Sequence, residues 1–167
     1  GSAASCNAAE IFPAYRLAEA FGHTLVPLRP ALVPLAIQSP SAYSWTGVRV
    51  RAGVRLLCDG KEEDYEEGQV QLTDRGISGI PVFGISGKAA RFLSEGHKVS
   101  AVFDFFPEME EKAFLAFLKM RIKEHPERTL ADNLTGLFPE RLIPDLLKGI
   151  SGAEEAAERI KHFEVSV

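Results

Sequence analysis

The sequence predicts an α+β fold: a small, mostly antiparallel β-barrel that carries an inserted small α-helical bundle. Three observations predict it. Apolar and polar residues alternate in segments between positions 24 and 106. From Pro107 the apolar spacing becomes helical and stays so to about residue 161. Alternation then returns in Glu164-Val165-Ser166-Val167. The expected division is a tag remnant or linker over 1–13, a β-barrel domain over 14–106 and 162–167, and a helical-bundle insertion over 107–161.

The first element is a short helix within Ile11 to Phe21, where Tyr15, Leu17, Ala18 and Phe21 stand near helical spacing and Gly22 offers a left-handed stop. Thr24 to Leu28 and Ala31 to Ile37 are apolar and β-prone, but Pro27 and Pro34 lack a ladder donor. Edge strands, bulged strands or extended arms are therefore expected. Val48 to Cys58 carries the clearest strand pattern, with Val48, Val50, Ala52, Val54, Leu56 and Cys58 on one face and Arg49, Arg51 and Arg55 on the other. Asp59-Gly60 then favours a type I′ hairpin turn. The acidic run Lys61–Glu67 is the expected partner strand, its carboxylates opposite the arginines. Gln69 to Thr73 alternates again.

Ser78-Gly79-Ile80-Pro81 has the form of a helix start, with Pro81 near the first turn, and that helix should run to about Leu93 before Gly96. Lys98 to Phe105 is the next strand. Phe114, Leu115, Phe117, Leu118 and Ile122 mark an amphipathic helix that Pro126 closes. Thr129-Leu130-Ala131-Asp132 and Ser151-Gly152-Ala153-Glu154 both resemble capping boxes. Between them a further helix is expected over Pro139 to Leu147. The helical block should enclose its own small core, with Phe114, Phe117, Leu118, Leu130, Leu134, Leu142 and Leu146 buried.

Composition bounds the function. The chain has 167 residues, 46% of them apolar and 25% charged, with 19 Lys+Arg against 23 Asp+Glu. The mild net charge of −4 disfavours non-specific nucleic-acid binding, which needs a basic face. No apolar run approaches the ~20 residues of a membrane helix, and no signal peptide is visible. Cys6 and Cys58 form no CxxC pair and no zinc spacing with His, so the expectation is a reduced cytoplasmic protein without a metal. A Cys6–Cys58 disulfide stays open at this level. The Gly1-Ser2 start resembles a tag-cleavage scar, and the strand pattern at the end gives the expectation of an excised piece of a longer protein.

Most motifs that would carry site chemistry are missing from the sequence. No G-x-G, Walker A motif, HExxH or nucleophile elbow occurs. His23, His97, His125 and His162 stand alone. Glu62 to Glu67 lacks the pattern of a calcium loop and reads as a solvated strand and turn. The remaining segment is Thr73-Asp74-Arg75-Gly76-Ile77-Ser78-Gly79. Two glycines beside a helix start let backbone N–H groups converge on an anion, with Arg75 as a fixed charge. The alternative is a plain strand-to-helix turn.

Several segments taken in order resemble a family. Tyr15-Arg16-Leu17-Ala18-Glu19-Ala20-Phe21-Gly22-His23-Thr24 and Pro27-Leu28-Arg29-Pro30-Ala31-Leu32-Val33-Pro34-Leu35 come first. Leu72-Thr73-Asp74-Arg75-Gly76-Ile77-Ser78-Gly79-Ile80-Pro81 follows, matching an FT-x-x-G-[IL]-S-G-P segment with Ile80 interposed. Phe105-Phe106-Pro107, Thr129 to Leu137 and Arg141 to Leu147 complete the series. Together they resemble the inserted domain of BaiN-like (YhiN-type) FAD/NAD(P)-dependent oxidoreductases, aminoacetone-oxidase-like flavoproteins, over about residues 14–167.

The resemblance implies a translation-factor-like barrel plus a small α-bundle, set between two halves of a FAD-binding domain. Neither half is present here: the fingerprint G-x-G-x-x-G is missing, and Cys6 to Ala14 stands where the family has a Gly-rich stretch. The implied function is an insert or cap domain that shapes the substrate side of a flavin site. This chain alone would hold no cofactor and no catalytic residue. The full-length protein would hold FAD and use NAD(P)H. Its partners would be the flavin-binding domain of the same polypeptide and a small-molecule substrate, with no nucleic acid and no membrane. Thr73, Asp74, Arg75, Gly76, Ser78 and Gly79 would face that domain, on the side of Ala14 and Val167, with Gly76 or Gly79 at positive φ. The alternative function is a stand-alone β-barrel module that binds protein or peptide.

Overall fold

The long β-hairpin sets the frame of the molecule. The computed structural model describes residues 12–167; residues 1–11 of the expected 1–13 linker and any Cys6–Cys58 pairing lie outside the described residues, and Phe12 and Pro13 belong to the first helix. Strand β2 is Arg49–Cys58 and β3 is Lys61–Leu72. Asp59 and Gly60 join them at φ of +50° and +83°, the left-handed values that a type I′ turn requires. Ala52, Val54 and Leu56 are fully buried, as the alternation predicts. The arginines do not face the acidic run squarely. Arg51 lies across from Gln69 and Arg55 across from Tyr65, because the turn fixes Cys58 against Lys61 and a bulge shifts the register at Leu56/Leu57. Arg51 reaches Glu67 diagonally, at 2.6 Å. Both groups are solvated, so the pair adds little stability.

Around this hairpin the sheet has six strands in the order β1-β4-β3-β2-β5-β6, with β1 at Leu35–Ala36, β4 at Gly76–Gly79, β5 at Val99–Asp104 and β6 at Phe163–Ser166. Every pairing is antiparallel. The two edges of the sheet curl toward each other. Just beyond β1, the Gln38 N–H donates to the Ser166 carbonyl of β6 at 2.8 Å, so few ladder groups are left on open edges. Helix α1 is Phe12–Ala20. The proline-rich stretch after it is an extended arm rather than a strand. It touches helix α2, Ile80–Ser94, through Val33 N–H to Ser86 Oγ at 3.2 Å and Arg29 to Glu95 at 3.4 Å.

Between β5 and β6 the chain forms α3 (Glu111–Glu124), α4 (Leu130–Leu134), α5 (Ile143–Leu146) and α6 (Ala153–Lys161). Phe114, Leu118, Leu134, Leu142 and Leu146 are buried, and Phe117 and Leu130 are half-buried. Their side chains do not form a separate core. They join the buried residues of the strands and α2 in one continuous cluster. Phe105 at the end of β5 and Phe106 after it bridge the two parts: Phe105 meets Phe163 at 5.6 Å and Phe106 meets Phe114 at 4.8 Å. No helix among the described residues is long and apolar enough to cross a membrane.

One of the two expected capping boxes forms. Thr129 Oγ1 accepts the Asp132 N–H at 3.1 Å, and Asp132 accepts the Thr129 N–H at 3.0 Å. Helix α6 instead has Gly152 as its N-cap, which has no side chain to offer, and Glu154 pairs with Lys119 at 2.6 Å. The Thr129 hydroxyl and amide hold the Asp132 carboxyl below its ordinary pKa. A group whose folded pKa is depressed stabilises the fold above its unfolded pKa, and that contribution is lost as pH falls through the folded value. Asp132→Asn should therefore lower stability at neutral pH, where the charged carboxylate contributes fully, and flatten the acid limb, so that variant and wild type converge as pH falls through the folded value. Urea unfolding as a function of pH checks this, and an unchanged acid limb would refute it. Thr129→Ala should cost about 1 kcal/mol at neutral pH.

Candidate functional site

The segment singled out from sequence divides into a turn and a strand. Thr73, Asp74 and Arg75 form the turn, whereas Gly76-Ile77-Ser78-Gly79 is β4, paired with β1 on one side and β3 on the other. Thr73 closes the turn: its Oγ1 accepts the N–H of Arg75 at 3.3 Å and of Gly76 at 3.0 Å. Its hydroxyl donates to the Gly76 carbonyl at 3.0 Å. The amides expected to cradle an anion are thus committed to Thr73. Gly79 has φ of +108°, the left-handed backbone expected of one of the two glycines. Gly76 serves a different need. A Cβ there would strike the Leu35 carbonyl oxygen, so Gly76 is what lets β1 approach β4.

Position follows from the same contacts. The Arg75 carbonyl accepts the Ile37 N–H at 3.3 Å, and the next residue, Gln38, donates to Ser166. The turn therefore lies beside the C-terminal strand. Asp74 and Arg75 are exposed, and Arg75 has no ion-pair partner among the described residues. Ile80, just past β4, is 81% exposed. Further apolar side chains, Leu17, Phe21, Val26, Leu28 and Leu32, stand out from α1 and the arm.

The densest polar constellation is one that sequence reasoning missed. Lys161 at the end of α6 is buried. Its Nζ donates to Asp104 Oδ2 at 2.6 Å and to the carbonyls of Phe106 at 2.9 Å and Met109 at 2.5 Å. All three ammonium hydrogens are used. Beside it, Arg55 Nη2 donates to His162 Nδ1 at 2.9 Å and to the Lys161 carbonyl at 3.1 Å. Arginine is only a donor, so His162 carries its hydrogen on Nε2 and donates it to Glu111 Oε2 at 3.0 Å. These groups line a cleft of about 350 Å³ that Tyr65 and Glu62 also border. Lys161 and Asp104 pair their charges, and Arg55, His162 and Glu111 are joined by hydrogen bonds, so the arrangement works as a clasp between β2, β5, α3 and α6. Residues this distant in sequence leave no motif; the one local trace is the outward position of Arg55 in β2.

A sheet curled into a barrel, with helices inserted before its last strand, defines the class of protein, and the comparisons agree. Residues 29–166 match the family described as HI0933-like protein barrel and H2TH domain, and the chain belongs to that family. It is 40% identical over 134 residues to the 3-dehydro-bile acid delta(4,6)-reductase of Clostridium scindens, covering 80% of this chain and 33% of that protein. It is 28% identical over 134 residues to the ribosomal RNA dihydrouridine synthase of Escherichia coli, covering 79% of this chain and 30% of that protein. The chain thus spans about a third of the length of these relatives. The resemblance to BaiN-like flavoprotein oxidoreductases is borne out at the level of the family.

Proposed function

We propose that this chain is the substrate-side domain of a cytoplasmic FAD-dependent reductase, and that it acts on a small molecule in concert with a flavin-binding domain of the same polypeptide. The observation that carries the reading is the 40% identity to a reductase of which the chain spans 33%. The rest of such a protein would hold FAD and NAD(P)H and supply the hydride chemistry. This domain would exclude water and orient the substrate. The division into a barrel over 14–106 and 162–167 and an insertion over 107–161 belongs to the same proposal.

Thr73 to Gly79 is the surface we assign to the flavin side. Exposed Arg75 and Ile80 support it, as does the position of the turn beside the C-terminal strand. With the amides of the turn already bonded, the guanidinium of Arg75 is the group left to meet a partner or a substrate anion. A small molecule is favoured over ribosomal RNA by the net charge of −4 and by the higher identity to the bile-acid enzyme. A peptide-binding module is disfavoured because the Gln38–Ser166 contact draws the sheet edges together.

The test uses the full-length protein. Arg75→Ala should lower kcat/KM by about tenfold, equivalent to about 1.4 kcal/mol, while the unfolding midpoint and the flavin absorbance stay at wild-type values. Arg75→Lys should recover part of the loss. Wild-type kinetics in Arg75→Ala would remove this surface from the site, and a full-length protein without flavin absorbance would overturn the reading as a whole.

A further inference from the structure

At the tip of the β2–β3 hairpin three chemically distinct ligand types meet. Cys58 ends β2, Asp59 begins the turn, and His97 lies in the connection from α2 to β5. The register explains the meeting: Cys58 pairs with Val99, which sets His97 beside Asp59. We propose that Cys58, Asp59 and His97 form a binding site for a borderline divalent cation of the zinc class.

The donor set is the first argument. A thiolate, an imidazole and a carboxylate together suit zinc rather than calcium or magnesium, which take oxygen ligands. Distance is the second. One ligand atom from each residue lies within 4.8 Å of the other two. In a tetrahedral site with bonds of about 2.0–2.3 Å, ligand atoms stand about 3.3–3.7 Å apart. Binding would draw the three side chains together by that difference. The Asp59 Oδ2 to His97 Nδ1 contact, now 2.7 Å, would open to admit the ion.

Outer contacts already hold the ligands in place. The Lys98 N–H occupies Asp59 Oδ1 at 2.9 Å and so leaves Oδ2 for the cation. The Asp59 N–H returns to the Lys98 carbonyl at 2.9 Å, which ties the turn to the α2–β5 connection. The His97 ring stands edge-on to Phe92 at 6.2 Å, and its amide bonds the Phe92 carbonyl at 3.1 Å. Supports of this kind orient metal ligands and fix their geometry. The local field points the same way. Burial, and after it Asp59, Glu63 and Glu95, disfavour a bare thiolate at Cys58, against a smaller opposing effect of Arg91, and the same negative charges favour a dication at this spot. With three protein ligands on an accessible surface, the fourth position is left to water.

Cobalt(II) titrated into the metal-free chain is the test, because a cobalt–thiolate bond gives a charge-transfer band in the near ultraviolet. Wild type and Cys6→Ser should both show the band, saturating at a single ion and bleached by stoichiometric zinc. Cys58→Ser should lose it. His97→Ala and Asp59→Ala should bind at least about tenfold more weakly, with circular dichroism unchanged. No band in wild type, a band that survives Cys58→Ser or vanishes in Cys6→Ser, or wild-type affinity in His97→Ala would each overturn the proposal.

Discussion

Asp104→Ala should lower the unfolding free energy by about 3–5 kcal/mol, among the largest losses available to a single polar substitution in this chain. The reason is Lys161, whose ammonium sits among buried apolar residues and meets a single carboxylate, 2.6 Å away. Removing that carboxylate leaves a cation with two carbonyls and no counter-charge, and also frees the Phe106 N–H that Asp104 Oδ1 accepts at 2.9 Å. The opposite substitution is gentler. Lys161→Met removes the charge together with its need for a partner, and should cost clearly less. The double variant Asp104→Asn/Lys161→Met should recover much of what Asp104→Ala loses. Chemical denaturation of the variants checks this ordering. If Asp104→Ala and Lys161→Met prove equally mild, Lys161 is solvated in solution and the clasp is not a stability element.

The parts of the fold that were legible in the sequence are those decided by neighbours along the chain. β2 follows from alternation, its turn from Asp59-Gly60, α3 from helical spacing and the start of α4 from Thr129 and Asp132. β4 was hidden because Gly-Ile-Ser-Gly has weak strand propensity. It is a strand because β1 and β3 flank it, and Gly76 permits that approach. The candidate site divides the same way. Arg75 and its turn stand in one continuous segment that a family resemblance can reach. The Lys161–Asp104 pair and the Cys58–His97 pair are made by sheet register and by the return of α6 to β5, which no local spacing encodes.

Phe114→Ala should cost about 3–5 kcal/mol and lower the unfolding of the whole chain as one transition. Phe114 is fully buried, and its ring meets Phe106, Phe117 and Phe138 at 4.8, 6.4 and 6.5 Å. Truncation leaves a void that three other aromatic rings cannot fill without leaving their own positions. The loss should not stay within the helices. Phe106 follows directly on Phe105, which stacks on Phe103 at 5.2 Å within the sheet, and the Phe105 N–H bonds the Ile160 carbonyl of α6 at 2.9 Å. Helices and strands thus draw on one apolar cluster. Far-ultraviolet circular dichroism, which follows the helices, and Trp45 fluorescence, which follows a fully buried site near β2, should then give coincident melting curves for Phe114→Ala, both shifted to lower temperature. If the helical signal melts first while Trp45 keeps its wild-type midpoint, the inserted helices are an independent folding unit and the shared core does not couple them to the barrel.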